Sequence, residues 1–397
     1  MYLSMAGEWK ISLEAEEGMQ QGTIALPGIL QGAGYGNPIT RDTPWVSSLH
    51  DGFWYQQEPY QYAQGEGQVN VPFLSQPPRH FLGKVYYERT FVVTGSPTGN
   101  TVGKAWAGEP GSDQEWYFFA ELARWRSTVW VDGVECGSCC SLCTPHEIKL
   151  GRIAAGEHRI RVCMDTAMQY PYRPDGHGVS DALGATWNGM AGEIALYTES
   201  VHRERIQARQ EYARIHVRRV EAEGGRFLVD GQPVYFRATH FGGEYPLTGY
   251  PVTEVSWWQN KMKIIKEWGL NAIRFHSCCP PEAAFCAADR EDIYLLVECG
   301  MWNDFANGER GQEMAGVLRE ESRRILDFFG HHPSFLFFSS GNEPGGDWYE
   351  SLTAWVEEIR EYDRQLGYEG RRLYTAQSGW HYPMPPSQIE GTDFIFF

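Results

Sequence analysis

His332-Pro-Ser-Phe-Leu-Phe-Phe-Ser-Ser-Gly-Asn-Glu-Pro344 is a nearly continuous apolar strand that runs into Gly341, Asn342 and Glu343. Such an ending lifts an amide and a carboxylate out of a core onto the face where a strand stops. A carboxyl that is partly desolvated there can have its pKa raised enough to donate a proton to a leaving oxygen near neutral pH. Asn342 beside it can hydrogen-bond a sugar hydroxyl. The alternative is a capped turn in which both side chains only satisfy backbone groups.

Outward from this strand, the second half of the chain alternates in character. A hairpin, FLVDGQPVYFRATH with its turn at Asp230-Gly231, leads into a strand over 234–239. A helix then opens at Thr253 as N-cap, carries apolar residues at Val255, Trp258, Met262, Ile265 and Trp268, and closes at Gly269. Next come a strand over 272–275, a helix start at Pro280-Pro281, a strand over 294–297 and a long helix ending near Gly330. A strand over 335–339, a helix over 348–366 and strands over 373–376 and 394–397 complete the pattern. Six strands separated by helical connections predict parallel βαβ units. An open doubly wound sheet and a (β/α)₈ TIM barrel both fit that alternation.

The polar residues decide between them. Successive strands end in His240 and Glu244, Arg274 and His276, Glu298 with Trp302 and Asn303, Asn342 and Glu343, then Trp380 and His381. Reactive side chains converging from successive strand ends describe the active face of a barrel. No G-x-G-x-x-G follows the first strand, so a dinucleotide site has no support.

The first half reads differently. Short runs of β-branched and aromatic residues, clearest over 84–93, 116–120, 128–131, 158–164 and 192–198, are divided by Gly, Pro and Asp turns, the pattern of a sandwich or barrel. Asp132-Gly133 is a strong hairpin turn, because two-residue turns require positive φ. Between the halves, ten of the 23 residues over 201–223 are charged, and that stretch reads equally well as an exposed strand pair or a helix. The expected organisation is a β domain over 1–200, a charged connector over 201–226 and an α/β domain over 227–397.

Composition narrows the partners. A formal net charge of −17 repels phosphate backbones and anionic lipid, which argues against nucleic acid and membrane surfaces. No apolar run approaches the roughly 18–20 residues of a membrane span and the start lacks a signal-peptide pattern, so the chain reads as cytoplasmic. Nine cysteines, an odd number, fit reduced thiols better than a disulfide framework. Aromatic residues at 14 % serve core packing and can also stack on sugar rings.

Several segments together resemble glycoside hydrolase family 2, the β-galactosidase, β-glucuronidase and β-mannosidase group. They are Asn271-Ala-Ile-Arg274-Phe-His276, DREDIYLLVE over 289–298, and the His332 to Glu343 segment, in that order. Trp187-Asn-Gly-Met-Ala-Gly-Glu-Ile194 and Thr144-Pro-His-Glu-Ile148 are similar to the family's N-terminal jelly-roll β-sandwich. The resemblance implies a multidomain protein, a jelly roll followed by a TIM barrel, that cleaves β-glycosides with retention through an oxocarbenium-like transition state. Glu343 would be the acid and then the base, and a second carboxylate about 5–5.5 Å away the nucleophile. Asn342 would hold the 2-hydroxyl. Arg274 and His276 would line the subsite, with His240, Trp302, Asn303 and Trp380 shaping the sugar pocket and Glu298 a supporting acid. An oligosaccharide or glycoside is the implied partner. No cofactor is required by the sequence, and an assisting magnesium or sodium ion is left open.

The chain also departs from the family. The family's nucleophile belongs to a seventh barrel strand, whereas 171 residues from Phe227 to Phe397 are fewer than the roughly 250 of a complete barrel. The expectation is an N-terminal portion of a longer protein, with a C-terminally truncated barrel. The connector is too short for the immunoglobulin-like domain that family members commonly insert. Cys136, Cys139, Cys140 and Cys143, with His146 nearby, have paired C-x-x-C spacings that can bind zinc. Against zinc, structural sites draw on two separated knuckles, so free thiols are the expectation. A carbohydrate-binding protein without turnover is the competing reading, and the sequence does not choose among galactoside, glucuronide, mannoside or arabinoside.

Overall fold

Apolar residues alternate along most strands of the first half, giving each strand one face for a core and one for water. In the computed structural model, the described residues are 1–16, 18–47, 56–58, 60–61, 69–73, 78–94, 114–174, 176–183, 186–301, 309–379, 381–385 and 389–395. The first strands are β1 (Tyr2–Ser4), β2 (Gly7–Ala15), β3 (Gly18–Leu26), β4 (Gly28–Ile29) and β5 (Lys84–Val93). They are followed by β6 (Glu115–Ala123), β7 (Arg126–Val131), β8 (Val134–Cys140), β9 (His146–Arg152), β10 (Gly156–Asp165) and β11 (Gly189–Thr198).

These form two sheets. One has the order β1-β11-β6-β9 with β4 also on β11, and the other β3-β2-β5-β10-β7-β8. Trp9, Ile11, Leu13, Val85 and Tyr87 of the second face Trp116, Phe118, Ile148 and Leu196 of the first in one core. Asp132 and Gly133 adopt φ of 51° and 85°, as the β7–β8 hairpin requires. The outer face of β6 and β11 is apolar too, with Phe119, Ala195 and Tyr197 packed against Val201 and Phe328. That second face docks the sandwich onto the helices of the second half.

The charged stretch is a helix and then a strand. α1 (Glu199–Ile215) buries only Ala213, and β12 (Val220–Glu223) pairs with β13 (Arg226–Val229) and β14 (Gln232–Val234) in a small sheet. Arg205 of α1 pairs with Glu193 and lies 4.7 Å and 4.8 Å from the Phe119 and Tyr197 rings, so its charge and its flat face both serve the docking.

The remaining elements alternate as expected: β15 (Ala238–Phe241), α2 (Val255–Glu267), β16 (Ala272–Phe275), α3 (Glu282–Glu291), β17 (Tyr294–Met301), α4 (Glu309–Phe329), β18 (Phe335–Gly341), α5 (Trp348–Gln365) and β19 (Leu373–Thr375). The five strands are parallel and in sequence order. An order without reversal has no switch point, which removes the doubly wound alternative for the described strands. Every residue of β18 is buried, because helices cover one face while Phe227, Phe236 and Phe394 pack with Leu336 and Phe337 on the other.

Three local expectations are corrected. The strand over 234–239 is two elements: Val234 pairs with Phe227 in the hairpin, and β15 starts at Ala238. Thr253 does not cap α2, whose N-cap is Glu254, and Trp268 is 78 % exposed beyond its end. Phe394 and Ile395 are not in a strand. Asp393 takes both backbone groups of Tyr374, its N–H donating to the carbonyl at 2.8 Å and its carboxylate accepting the Tyr374 N–H at 2.8 Å, so β19 has no ladder left there. Phe396 and Phe397 lie outside the described residues. No helix among the described residues is long and apolar enough to cross a membrane.

Candidate active site

Arg274 is the junction of three strand ends. From the end of β16 its Nε donates to Glu298 Oε1 on β17 at 2.7 Å, and its Nη2 donates to Asn342 Oδ1 just past β18 at 2.7 Å. The second Glu298 oxygen accepts the Ser277 backbone N–H at 2.6 Å. Glu298 has 0 % exposure, so both its oxygens are committed inside the protein. The planar guanidinium fork suits this work: one edge neutralises a buried carboxylate while the other sets the orientation of an amide.

Glu343 follows in a left-handed conformation, φ 44°, which is rare outside glycine. Its backbone N–H donates to the Ser378 carbonyl at 2.8 Å, and Asn342 bridges Ser378 in parallel register. This anchoring turns the half-buried Glu343 away from the buried run of β18. Gly379, φ 82°, completes the corner, because a Cβ there would sit 2.4 Å from Asn342 Oδ1. Only glycine leaves the amide its place.

A row of imidazoles lies beside this triad. His276 Nδ1 is 2.9 Å from His177 Nδ1, and the ring of the exposed His240 is 4.7 Å from that of His276. Burial, then His276, pushes His177 down to about 4; burial, then Arg274 and His240, does the same to His276. Both are neutral at pH 7, which lets one ring nitrogen donate and the other accept across the contact. Glu244 is used locally, accepting the Gly242 N–H at 3.1 Å.

A cleft between the sandwich and the ends of β15, β16 and β17 is lined by Arg124, His177, Gly242, Ser277, Cys278 and Gly300. Arg124 Nη2 donates to the Gly178 carbonyl at 2.7 Å, and burial lowers its guanidinium to about 10. Arg274, His276, Glu298, Asn342, Glu343 and His240 therefore gather on one face, while Trp302, Asn303 and Trp380 lie outside the described residues. Sequence reasoning missed His177 and Arg124, which come from the sandwich. The available signal was a histidine between Gly176 and Gly178 in the long connection from β10 to β11, since loops on a rigid scaffold carry function.

The cysteine cluster does not assemble a metal centre among the described residues. Cys136, Cys139 and Cys140 lie along β8, and the Cys143 thiol donates to Glu321 Oε1 at 2.9 Å. All the described cysteines are free.

No family model matches the chain. A β-galactosidase from Leuconostoc mesenteroides subsp. mesenteroides is 22 % identical over 194 residues, a match spanning 47 % of this chain and 18 % of that protein. The β-glucuronidase of Ruminococcus gnavus aligns over 100 % of this chain and 75 % of its own at TM-score 0.62 and 11 % identity in its complex with D-glucaro 1,5-lactone. In its complex with uronic deoxynojirimycin the figures are 94 %, 72 %, 0.61 and 11 %. The sandwich and the parallel sheet with its gathered strand ends thus share their fold with a β-glucuronidase.

Proposed function

We propose that this protein is a retaining β-glycosidase of the glycoside hydrolase family 2 type, with a jelly-roll sandwich and the first five strands of a (β/α)₈ barrel. The sequential parallel strand order and the likeness to the β-glucuronidase support that architecture. One observation carries the chemistry. Of the carboxylates at the strand ends, Glu298 is spent on Arg274 and Ser277 and Glu244 on the Gly242 N–H, while the Glu343 side chain makes no hydrogen bond among the described residues and is left for a substrate.

In this reading Glu343 protonates the departing oxygen and then, as a carboxylate, deprotonates the water that releases the sugar. Asn342, its carbonyl oxygen fixed by Arg274, turns its amide N–H₂ toward the 2-hydroxyl, a contact that strengthens as the anomeric carbon becomes cationic. Arg274 is a positioning residue. His276 and His177, both neutral, supply hydrogen-bonding nitrogens to the sugar without adding charge, and His240 is exposed at the same rim. Trp302, Asn303 and Trp380 are proposed pocket residues on sequence grounds. The nucleophile is assigned to a further carboxylate on the seventh strand that the family resemblance calls for, not to Glu298.

The test is Glu343→Gln in the intact protein, assayed on aryl β-galactosides and β-glucuronides. Hydrolysis of poor leaving groups is expected to fall about 10²–10⁴-fold, with a smaller loss for leaving groups that need no proton. Equal losses on both leaving-group classes would contradict the acid role. A wild type that binds these sugars without turnover would establish the carbohydrate-binding reading instead.

A further inference from the structure

His331 and His332 lie just before β18, with the whole length of that strand between them and Glu343. They are only 5 % and 3 % exposed, yet His331 Nδ1 and His332 Nε2 have no hydrogen-bond partner among the described residues. A buried imidazole nitrogen without a partner is costly and calls for an explanation such as an ion. A third group meets them. Glu282, the first residue of α3, is half-buried and makes no hydrogen bond or ion pair among the described residues, and one ligand atom from each of Glu282, His331 and His332 lies within 4.8 Å of the others.

We propose that Glu282, His331 and His332 bind a divalent transition metal ion, zinc by the chemistry of the set. Two imidazoles and one carboxylate form a three-ligand zinc site with a fourth position for water. The ion-facing nitrogen of His332 is preset by its neighbours. His332 Nδ1 lies 2.6 Å from Asp289 Oδ2, an acceptor when ionised, so Nδ1 carries the proton and Nε2 presents its lone pair. Asp289 is itself held, its Oδ2 accepting from the Tyr212 hydroxyl at 3.0 Å and its Oδ1 from the Ser334 N–H at 3.0 Å. This is the carboxylate–histidine–metal arrangement that orients metal ligands generally. Bonds of about 2.0–2.2 Å require the three ligand atoms to draw closer than they stand, and Glu282, half-buried and unbonded, is the member able to move. The site ties the start of α3 to the start of β18, and through Asp289 and Tyr212 to α1.

The experiment loads the intact protein with zinc after chelation, removes excess by dialysis and counts bound metal by mass spectrometry. Cobalt loading gives a parallel visible spectrum. The wild type is expected to retain about one equivalent, and Glu282→Gln and His331→Ala to weaken retention at least about tenfold. The cobalt spectrum should lack sulfur charge-transfer bands. Near-ultraviolet circular dichroism checks that each variant is folded, and Glu282→Gln, at a half-exposed position, decides if His331→Ala is not. Wild-type retention below about a tenth of an equivalent, equal retention in Glu282→Gln, or sulfur bands revealing thiol ligation would each overturn the proposal.

Discussion

Ser277 and Glu343 share an unusual property: both are non-glycine residues with positive φ, at 51° and 44°, and both stand at strand ends on one face. Such conformations cost on the order of 1–3 kcal/mol and persist where the surroundings hold them. Ser277 is held by its N–H on Glu298, and Glu343 by its N–H on Ser378. The strain aims groups that a regular strand would have left in the core. Arg274 joins the two positions, and its removal has a definite cost. Arg274→Met would strand Glu298 as a buried, unpaired carboxylate, so a loss of about 3–5 kcal/mol is expected in urea unfolding. A loss below about 1 kcal/mol would mean that the pair contributes little.

At the scale of elements, the small sheet β12-β13-β14 does the work of a plug. Phe227 and Phe236 meet Phe337 of β18 at centroid distances of 5.4 Å and 4.8 Å, and Phe394 meets it at 5.1 Å. These edge-on contacts cover the face of the parallel sheet that the helices do not. Phe337→Ala should therefore cost about 3–5 kcal/mol, read from chemical denaturation, because the three rings around it would collapse only partly into the gap. Tyr294 extends the cluster, reaching Phe236 at 5.2 Å. Were the variant as stable as the wild type, the hairpin would be an ornament of the sheet and not its cover. The hairpin was legible in Asp230-Gly231, but its use of Val234 was not, since residues 234–236 have the same strand-forming character in either pairing.

For the whole molecule, the decisive contact joins the sandwich to α4. Glu321, 4 % exposed, accepts from the Ser141 hydroxyl at 2.8 Å, from the Leu142 and Cys143 N–H groups at 3.0 Å and 3.1 Å, and from the Cys143 thiol. Arg324, one turn on, donates to Thr144 Oγ1 at 3.0 Å and the Pro145 carbonyl at 2.7 Å. The segment that reads as a cysteine motif runs along β8 and ends in a docking loop over 141–145. Glu321→Leu takes the acceptor from the Leu142 N–H and leaves the Cys143 N–H only Ser141 Oγ at 3.4 Å, at a cost of about 1–3 kcal/mol. Calorimetry of this variant is expected to separate one unfolding transition into two, for the sandwich and for the α/β region. A single transition at the wild-type midpoint would show that the docking is held elsewhere.

The sequence by itself determined the β half, the alternating half, both Asp-Gly turns, and the strand ends at Arg274, Glu298 and Asn342-Glu343, because periodicity, turn chemistry and a break from apolar to polar are local properties. Tertiary structure alone decided the rest. It showed that the charged stretch after β11 is a helix and then a strand, a choice made by what each part packs against and not by its composition. It brought His177 and Arg124 from the sandwich to the strand ends, and Glu282 to His331 and His332. These meetings join residues distant in the chain, and no local pattern records which loop faces which strand. The same reason separates the two carboxylates. By local pattern alone Glu298 and Glu343 are both acids at strand ends; the family resemblance separates their expected roles, and the positions of Arg274 and Ser277 supply the physical difference, making Glu298 a fixed counter-charge.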